Sequence, residues 1–267
     1  MPDPTSVADL CDWLDDRFPA ALSEDWDNTG LLVGDRSAAV RRVLTCLTLT
    51  EDVAEEAAGA GVSLVVSHHP LMFRGVKRLT ADAAEGRTLL RLISAGVAVY
   101  APHTRFDSAA EGINQRLAES LGLEDVKPLR PAEDAATGGG RFGSLPRPTP
   151  AADFAAAVAE ACDVGGLHLV AAPEQTVSRV AVACGAAGEY LADAAAAGCD
   201  GFLLGEARFH TALEARDRGV ALFVPGHYAT ERPAVERLAK DIAAAFPGLD
   251  CSPSRVEADP LRWHAVR

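Results

Sequence analysis

A chain of 267 residues with 48% hydrophobic content can fill one large α/β core or two smaller lobes without disulfide staples. Its formal net charge of -13 repels a polyphosphate backbone, which argues against nucleic acid as a partner, and no apolar run is long enough for a membrane span. The acidic N-terminus lacks a signal-peptide pattern, and six cysteines without a C-x-x-C pair suit a reducing compartment, so a soluble cytoplasmic protein with no membrane partner is expected.

Ser6 is placed to cap a helix whose Val7, Leu10, Cys11, Leu14 and Phe18 fall on one face, with Pro19 closing it. The polar cluster Glu24-Asp25-Trp26-Asp27-Asn28-Thr29-Gly30 follows and reads, by composition, as a surface loop. Residues 40–50 have the content of a strand, 50–59 of a short helix and 62–67 of a buried strand, a βαβ unit that ends on Ser67-His68-His69-Pro70. Pro70 keeps His69 out of the α region, and neighbouring side chains on extended backbone diverge. Two such imidazoles suit two adjacent metal ions better than one.

The basic trio Arg74, Lys77 and Arg78 reads as solvated surface charge. A helix over 88–95 and a strand over 97–100 then deliver Pro102-His103-Thr104-Arg105-Phe106-Asp107. Ser108 with Glu111 predicts a capping box for a helix through Ile113, Leu117 and Leu121, which places Asp107 at a strand-to-helix junction. Proline and glycine then crowd the chain, so 129–149 reads as a connecting segment between lobes at 1–128 and 150–267.

The second half repeats the rhythm of the first without a residue-level repeat. A helix to Ala161, strands at 167–171 and 177–184 and a helix over 188–197 lead to the strand 201–204 and Gly205-Glu206, with His210 on the next helix. The turn Cys184-Gly185-Ala186-Ala187-Gly188 lacks a dinucleotide or P-loop fingerprint and reads as structural. The strand 220–224 opens into Pro225-Gly226-His227-Tyr228-Ala229-Thr230-Glu231. Because Pro233 fits only the first turn of a helix, that helix is expected to begin near Thr230, with His227 in the loop before it.

Of seven histidines, His68, His69, His103 and His227 stand just after strands, where open α/β sheets collect ligand residues, and His210 lies one helical turn beyond Glu206. His168 and His264 read as ordinary. His68, His69 and His227 with Asp107 and Glu231 make three imidazoles and two carboxylates, more than one catalytic zinc takes, so two divalent metal ions per chain are expected. Nitrogen and oxygen donors admit zinc, iron, manganese, cobalt or nickel.

In combination and order, Trp26-Asp27-Asn28-Thr29-Gly30-Leu31, Ser67-His68-His69-Pro70-Leu71, His103-Thr104-x-x-Asp107, Gly205-Glu206 with His210, and Gly226-His227-Tyr228-x-x-Glu231 resemble the YbgI-type dinuclear metal proteins. This is the family named for the yeast NGG-one-interacting factor three and often labelled GTP cyclohydrolase I type 2-like. The resemblance implies an α/β fold of two similar three-layer lobes with mixed sheets, metals in the cleft between them, and a homohexameric ring. It also implies that His69 and Asp107 bind one metal, His68 and His227 the other, and Glu231 both. His103, Glu206 and His210 become groups that orient ligands, face substrate or move protons in catalysis. The loop around Trp26 becomes the rim of the site. The expected function is a metal-dependent hydrolase acting on a nucleotide or phosphorylated small molecule, so a small anionic substrate, with a non-catalytic metal-binding or metal-delivery protein as the alternative. Arg105 stands where the family usually carries Asn, and no role is assigned to it.

Overall fold

The computed structural model describes residues 4–262 and 264. In chain order the first half holds α1 (Val7–Arg17), β1 (Gly30–Val33), β2 (Arg42–Cys46), α2 (Glu51–Gly59), β3 (Leu64–Ser67), α3 (Ala84–Ser94), β4 (Ala98–Ala101), α4 (His103–Ser108), α5 (Ile113–Ser120) and β5 (Glu124–Pro131). The second half holds β6 (Gly138–Pro150), α6 (Ala151–Ala161), β7 (His168–Val170), β8 (Thr176–Ala183), α7 (Leu191–Ala196), β9 (Gly201–Leu204), α8 (Phe209–Arg218), β10 (Ala221–Val224), α9 (His227–Ala245) and β11 (Asp250–Pro253). The fold is α/β with two mixed sheets. Among the described residues no helix is long and apolar enough to cross a membrane.

Two compact units result. Among the described residues the first gathers 4–16, Trp26–His103 and 235–262; the second is Arg17–Asp25 with Thr104–Ala234. This differs from the expected lobes at 1–128 and 150–267, because the last strand returns to the first sheet and α5 belongs with the second.

In the first unit the strand order is β1-β4-β3-β2-β11, parallel throughout except that β1 runs antiparallel to β4. All four residues of β3 are buried, as expected of a parallel strand covered on both faces. The side chain of Thr50 caps α2 by accepting from Val53 N. One face of the sheet, with Leu44, Cys46, Val65 and Val99, packs on Val53, Ala54 and Ala57 of α2 and Leu92 of α3.

The second unit has the order β5-β6-β8-β9-β10-β7, with β8, β9 and β10 parallel and the other pairings antiparallel. Alternation along the strands sorts the core. Val180, Val182, Leu203 and Phe223 face Phe154 and Val158 of α6 and Leu117 of α5, whereas Ala181, Phe202, Leu204 and Leu222 face Leu191 and Ala194 of α7 and Ala215 of α8.

Three expectations are corrected here. The segment 129–149 is not a connection: β5 and β6 form an antiparallel pair running from Glu124 opposite Ser144 to Pro131 opposite Gly138. Pro128 and Pro131 are accommodated because β5 is the edge of the sheet, where a missing N–H costs no inner ladder bond. There is also no capping box at Ser108. Ser108 ends the separate short α4, and Gly112 begins α5 without a side-chain cap, so Asp107 lies in the last turn of α4. A Cβ on Gly112 would stand 2.0 Å from Phe106 O, so this tight link between the two helices requires glycine. Glu111 pairs instead with Arg17. Finally, α9 begins at His227, and Pro233 lies inside it.

Candidate metal centre

The first unit brings three imidazoles together. The N–H groups of His68 and His69 donate to Cys46 O at 2.9 Å and Leu47 O at 2.8 Å, so the histidine pair extends the β3–β2 ladder. Ser67 Oγ donates to His69 O at 2.7 Å and tightens the turn. His68 is buried and His69 half-buried, with His69 Nδ1 at 2.8 Å from Thr48 Oγ1. His103 opens α4 at φ 34, a left-handed conformation that non-glycine residues rarely adopt. Its Nδ1 donates to Asp27 Oδ1 at 2.8 Å, and the Asp27 side chain is wholly shielded from solvent. One ring nitrogen from each of His68, His69 and His103 lies within 4.8 Å of the others. Trp26 and Phe73, both exposed, set their rings 6.0 and 6.2 Å from that of His103.

Asp27 was not singled out from the sequence. Its loop reads as surface by composition, and the tryptophan is 57% exposed, yet the side chain of the next residue is shielded from solvent against an imidazole. Its place in the Trp26-Asp27-Asn28-Thr29-Gly30 motif was the available signal.

The second unit brings together an imidazole and two carboxylates. Gly226, at φ 123, turns the chain from β10 into α9, so that His227 and Glu231 stand one helical turn apart on one face. His227 Nε2 lies 3.1 Å from Glu231 Oε2 and Nδ1 3.0 Å from Glu206 Oε1. The hydrogen bond to Glu231 outweighs burial and pushes His227 up to about 9, with the charges of Glu231 and Glu206 adding to it. Glu231 is 3% exposed.

Glycines make the floor of this site. Gly185, at φ +64, leaves no room for a side chain, since a Cβ there would stand 2.4 Å from Glu231 Oε1; one on Gly205 would stand 2.7 Å from Gly185 O. Thr230 Oγ1 accepts from Gly185 N at 3.1 Å and donates to His227 O at 2.8 Å, tying that loop to the head of α9. The turn after β8, read from sequence as structural, therefore borders the candidate ligands.

Asp107 is held from behind. The Cys184 thiol donates to its Oδ1 at 3.3 Å, and Asn114 donates to its backbone carbonyl at 3.1 Å while accepting from Cys184 N at 2.8 Å. Burial, with the nearby Asp107 and Glu231 charges, pushes the Cys184 thiol well up, so it stays protonated and able to donate. Neither Cys184 nor Asn114 was expected to matter; only their position after a strand and on a helix was visible.

His210 is exposed in the first turn of α8, edge-on to Phe209, and makes no hydrogen bond to Glu206, His227 or Glu231. Glu206, Arg208 and Thr211 line a cleft of about 590 Å³ within this unit, together with Ala186, Gly188 and Glu189. Arg105 is 8% exposed and so is not a solvent-facing charge, and Arg74, Lys77 and Arg78 are exposed, as expected of surface residues.

The donor set is imidazole and carboxylate without thiolate, which fits a borderline divalent ion such as zinc or iron. Residues 5–260 match the family model Duf34/NIF3 (NGG1p interacting factor 3). The chain belongs to the DUF34/NIF3 family. It is 30% identical to a relative from Clostridium acetobutylicum over 242 residues, 90% of each chain, and 36% identical to one from Streptomyces coelicolor over 226 residues, 82% of this chain and 79% of the other. Both carry the name GTP cyclohydrolase 1 type 2 homolog. A fission-yeast relative, from Schizosaccharomyces pombe and named NIF3 homolog, is 34% identical over 261 residues, 90% of this chain and 91% of its own. Among solved structures, a hypothetical protein of Staphylococcus aureus superposes at a TM-score of 0.90 with 27% identity over 98% of this chain and 100% of that one. The YbgI protein shares the DUF34/NIF3 fold at a TM-score of 0.81, with 23% identity over 95% of this chain and 99% of that one.

Proposed function

We propose that this DUF34/NIF3 protein holds two divalent metal ions on His68, His69, Asp107, His227 and Glu231 and is a metal-dependent hydrolase of a nucleotide or phosphorylated small molecule. The observation that carries the reading is the head of α9, where a buried carboxylate and an imidazole stand 3.1 Å apart over a floor of glycine. The names of the relatives from Clostridium and Streptomyces support the cyclohydrolase direction. Bound metals would supply Lewis-acid polarisation of a carbonyl or phosphoryl oxygen.

The chain's own residues do the rest. Glu206 accepts from His227 Nδ1 and so turns Nε2 toward Glu231, Cys184 holds one oxygen of Asp107, and Asp27 orients His103. Arg208, at the cleft beside Glu206, offers a guanidinium to an anionic substrate. His103, Glu206 and His210 are the groups proposed to move protons or face substrate, and His210 is exposed on α8. Assembly as a homo-oligomer, a hexameric ring, belongs to the same reading and is checked by sedimentation velocity.

Glu231→Gln should abolish turnover and lower metal content while the far-UV circular dichroism stays native. If metal-loaded protein leaves a broad panel of nucleotides and phosphoesters unchanged, the hydrolase reading fails.

A further inference from the structure

We infer that Trp26 and Phe73 of the first unit form an exposed stacking platform for the planar heteroaromatic ring of a phosphorylated ligand. The inference rests on the reading of the substrate as a nucleotide or phosphorylated small molecule, and it narrows that reading to a ligand that carries a base-like ring.

Aromatic side chains that pack on one another usually do so to leave water. Trp26 and Phe73 have centroids 5.6 Å apart and planes tilted by 38°, yet they remain 57% and 49% exposed. Polar contacts, and not burial of the rings, hold the loops that carry them. Asn28 Nδ2 donates to Met72 O at 2.5 Å, one residue before Phe73, and Asn28 N donates to Asp27 Oδ1 at 2.8 Å. The same Asp27 oxygen accepts from His103 Nδ1 at 2.8 Å, and the Asp27 side chain is wholly shielded from solvent. The two rings are therefore set in place before a ligand arrives, which lowers the ordering cost of binding.

Position and charge identify the occupant. Both rings meet that of His103 in T-shaped geometry, with centroids at 6.0 and 6.2 Å and planes at 77° and 76°. A ring stacked on either at the usual ~4.5–7 Å lies within two ring spacings of that imidazole. A nucleobase suits such a surface, because every base has a π-face that an aromatic side chain can hold without reading its edges. Arg74 follows Phe73 in the chain, and Lys77 and Arg78 lie on the same loop between β3 and α3. All three are exposed, a positive segment in a chain of net charge -13. That local charge favours the phosphate of a nucleotide over an uncharged ring.

The test uses the full chain and measures binding in metal-stripped protein by isothermal titration calorimetry, with turnover followed separately in zinc-loaded protein. AMP and GMP are the probes, and ribose 5-phosphate is the same sugar phosphate without the ring. Wild type should bind a nucleotide more tightly than ribose 5-phosphate. Trp26→Leu and Phe73→Leu keep apolar bulk and remove the ring face. Each should weaken that nucleotide by about 5–150-fold, the range for losing one stacked base, and leave ribose 5-phosphate unchanged. Trp26→Phe should restore most of the affinity, and Lys77→Gln with Arg78→Gln should weaken both ligands alike. Circular dichroism verifies that these surface variants stay folded. Wild type that prefers neither nucleotide to ribose 5-phosphate, or leucine variants that bind the nucleotide as wild type does, overturns the platform. Leucine variants that change the sedimentation coefficient but not nucleotide affinity overturn it too, and assign the rings to a second copy of the chain. Nucleotide binding that the leucine variants lose, with no hydrolysis of any nucleotide, supports the platform and overturns only the hydrolase reading. Hydrolysis with a KM that neither leucine substitution moves does the reverse.

Discussion

Arg141 carries its guanidinium into the interior of the second unit, wholly buried, with a carboxamide and backbone carbonyls for partners. It donates to Gly138 O and Gly140 O at 2.7 Å, Ala109 O at 2.6 Å and Gln115 Oε1 at 2.9 Å, and burial alone pulls it down to about 10. Removing it orphans three buried carbonyls at about 1–3 kcal/mol each. Arg141→Ala should therefore lower the urea midpoint by an amount equivalent to at least about 3 kcal/mol, and Arg141→Lys should not rescue it, because a point charge cannot reach acceptors spread around a planar fork. His227 makes the second prediction at this scale. In metal-stripped protein its folded value, about 9, lies above the ordinary 6.5, so the His227–Glu231 contact stabilises fully below about 6.5 and is lost as pH rises through about 9. Thermal melts of stripped protein should show this decline across that window, and Glu231→Gln should flatten it. Zinc competes with the same proton, so its affinity should fall as pH drops.

The loop after β8 and the start of α9 act as one element of the site. Gly185 is at φ +64, and a Cβ there would stand 2.4 Å from Glu231 Oε1. Gly185→Ala should cost about 1–2 kcal/mol in backbone strain and, because the flexible end of Glu231 is what must yield, should also displace that carboxylate. The measurable outcome is weaker zinc binding by titration together with a modest loss in melting temperature; a variant that melts lower but binds zinc unchanged would contradict this role. Helix boundaries here were only partly legible. The helix read over 50–59 is present as Glu51–Gly59, with Thr50 as its cap rather than its first residue, its side chain accepting from Val53 N. Pro233 misled, because proline usually marks a first turn, yet α9 runs through it and carries His227 into its own first turn. The residues that fix that start, Gly185 and Glu206, lie far away in sequence, and no local pattern reports a contact of that range.

At the level of the whole molecule, the first sheet needs both ends of the chain. β11 pairs in parallel with β2 from Asp250 opposite Arg42 to Pro253 opposite Thr45, and Glu257 accepts from Leu47 N at 2.9 Å and Thr48 N at 2.5 Å. A fragment ending at residue 128 would keep β1 to β4 but lose that partner strand and the carboxylate that fixes the loop bearing Thr48. It should show no cooperative unfolding and bind zinc poorly, whereas the full chain should unfold cooperatively and bind zinc. The alternation of apolar residues, the strand-end histidines and the acidic residues near them are local features, so the sequence by itself determined the α/β class, the family and the candidate ligands. Only the tertiary structure decided which segments share a sheet, that a proline-rich stretch is an edge strand, and that Asp27, Cys184 and Asn114 stand behind His103 and Asp107. The reason is range: periodicity and caps act over a few residues, whereas the hydrogen bond that His103 donates to Asp27 spans a distance along the chain that nothing local encodes.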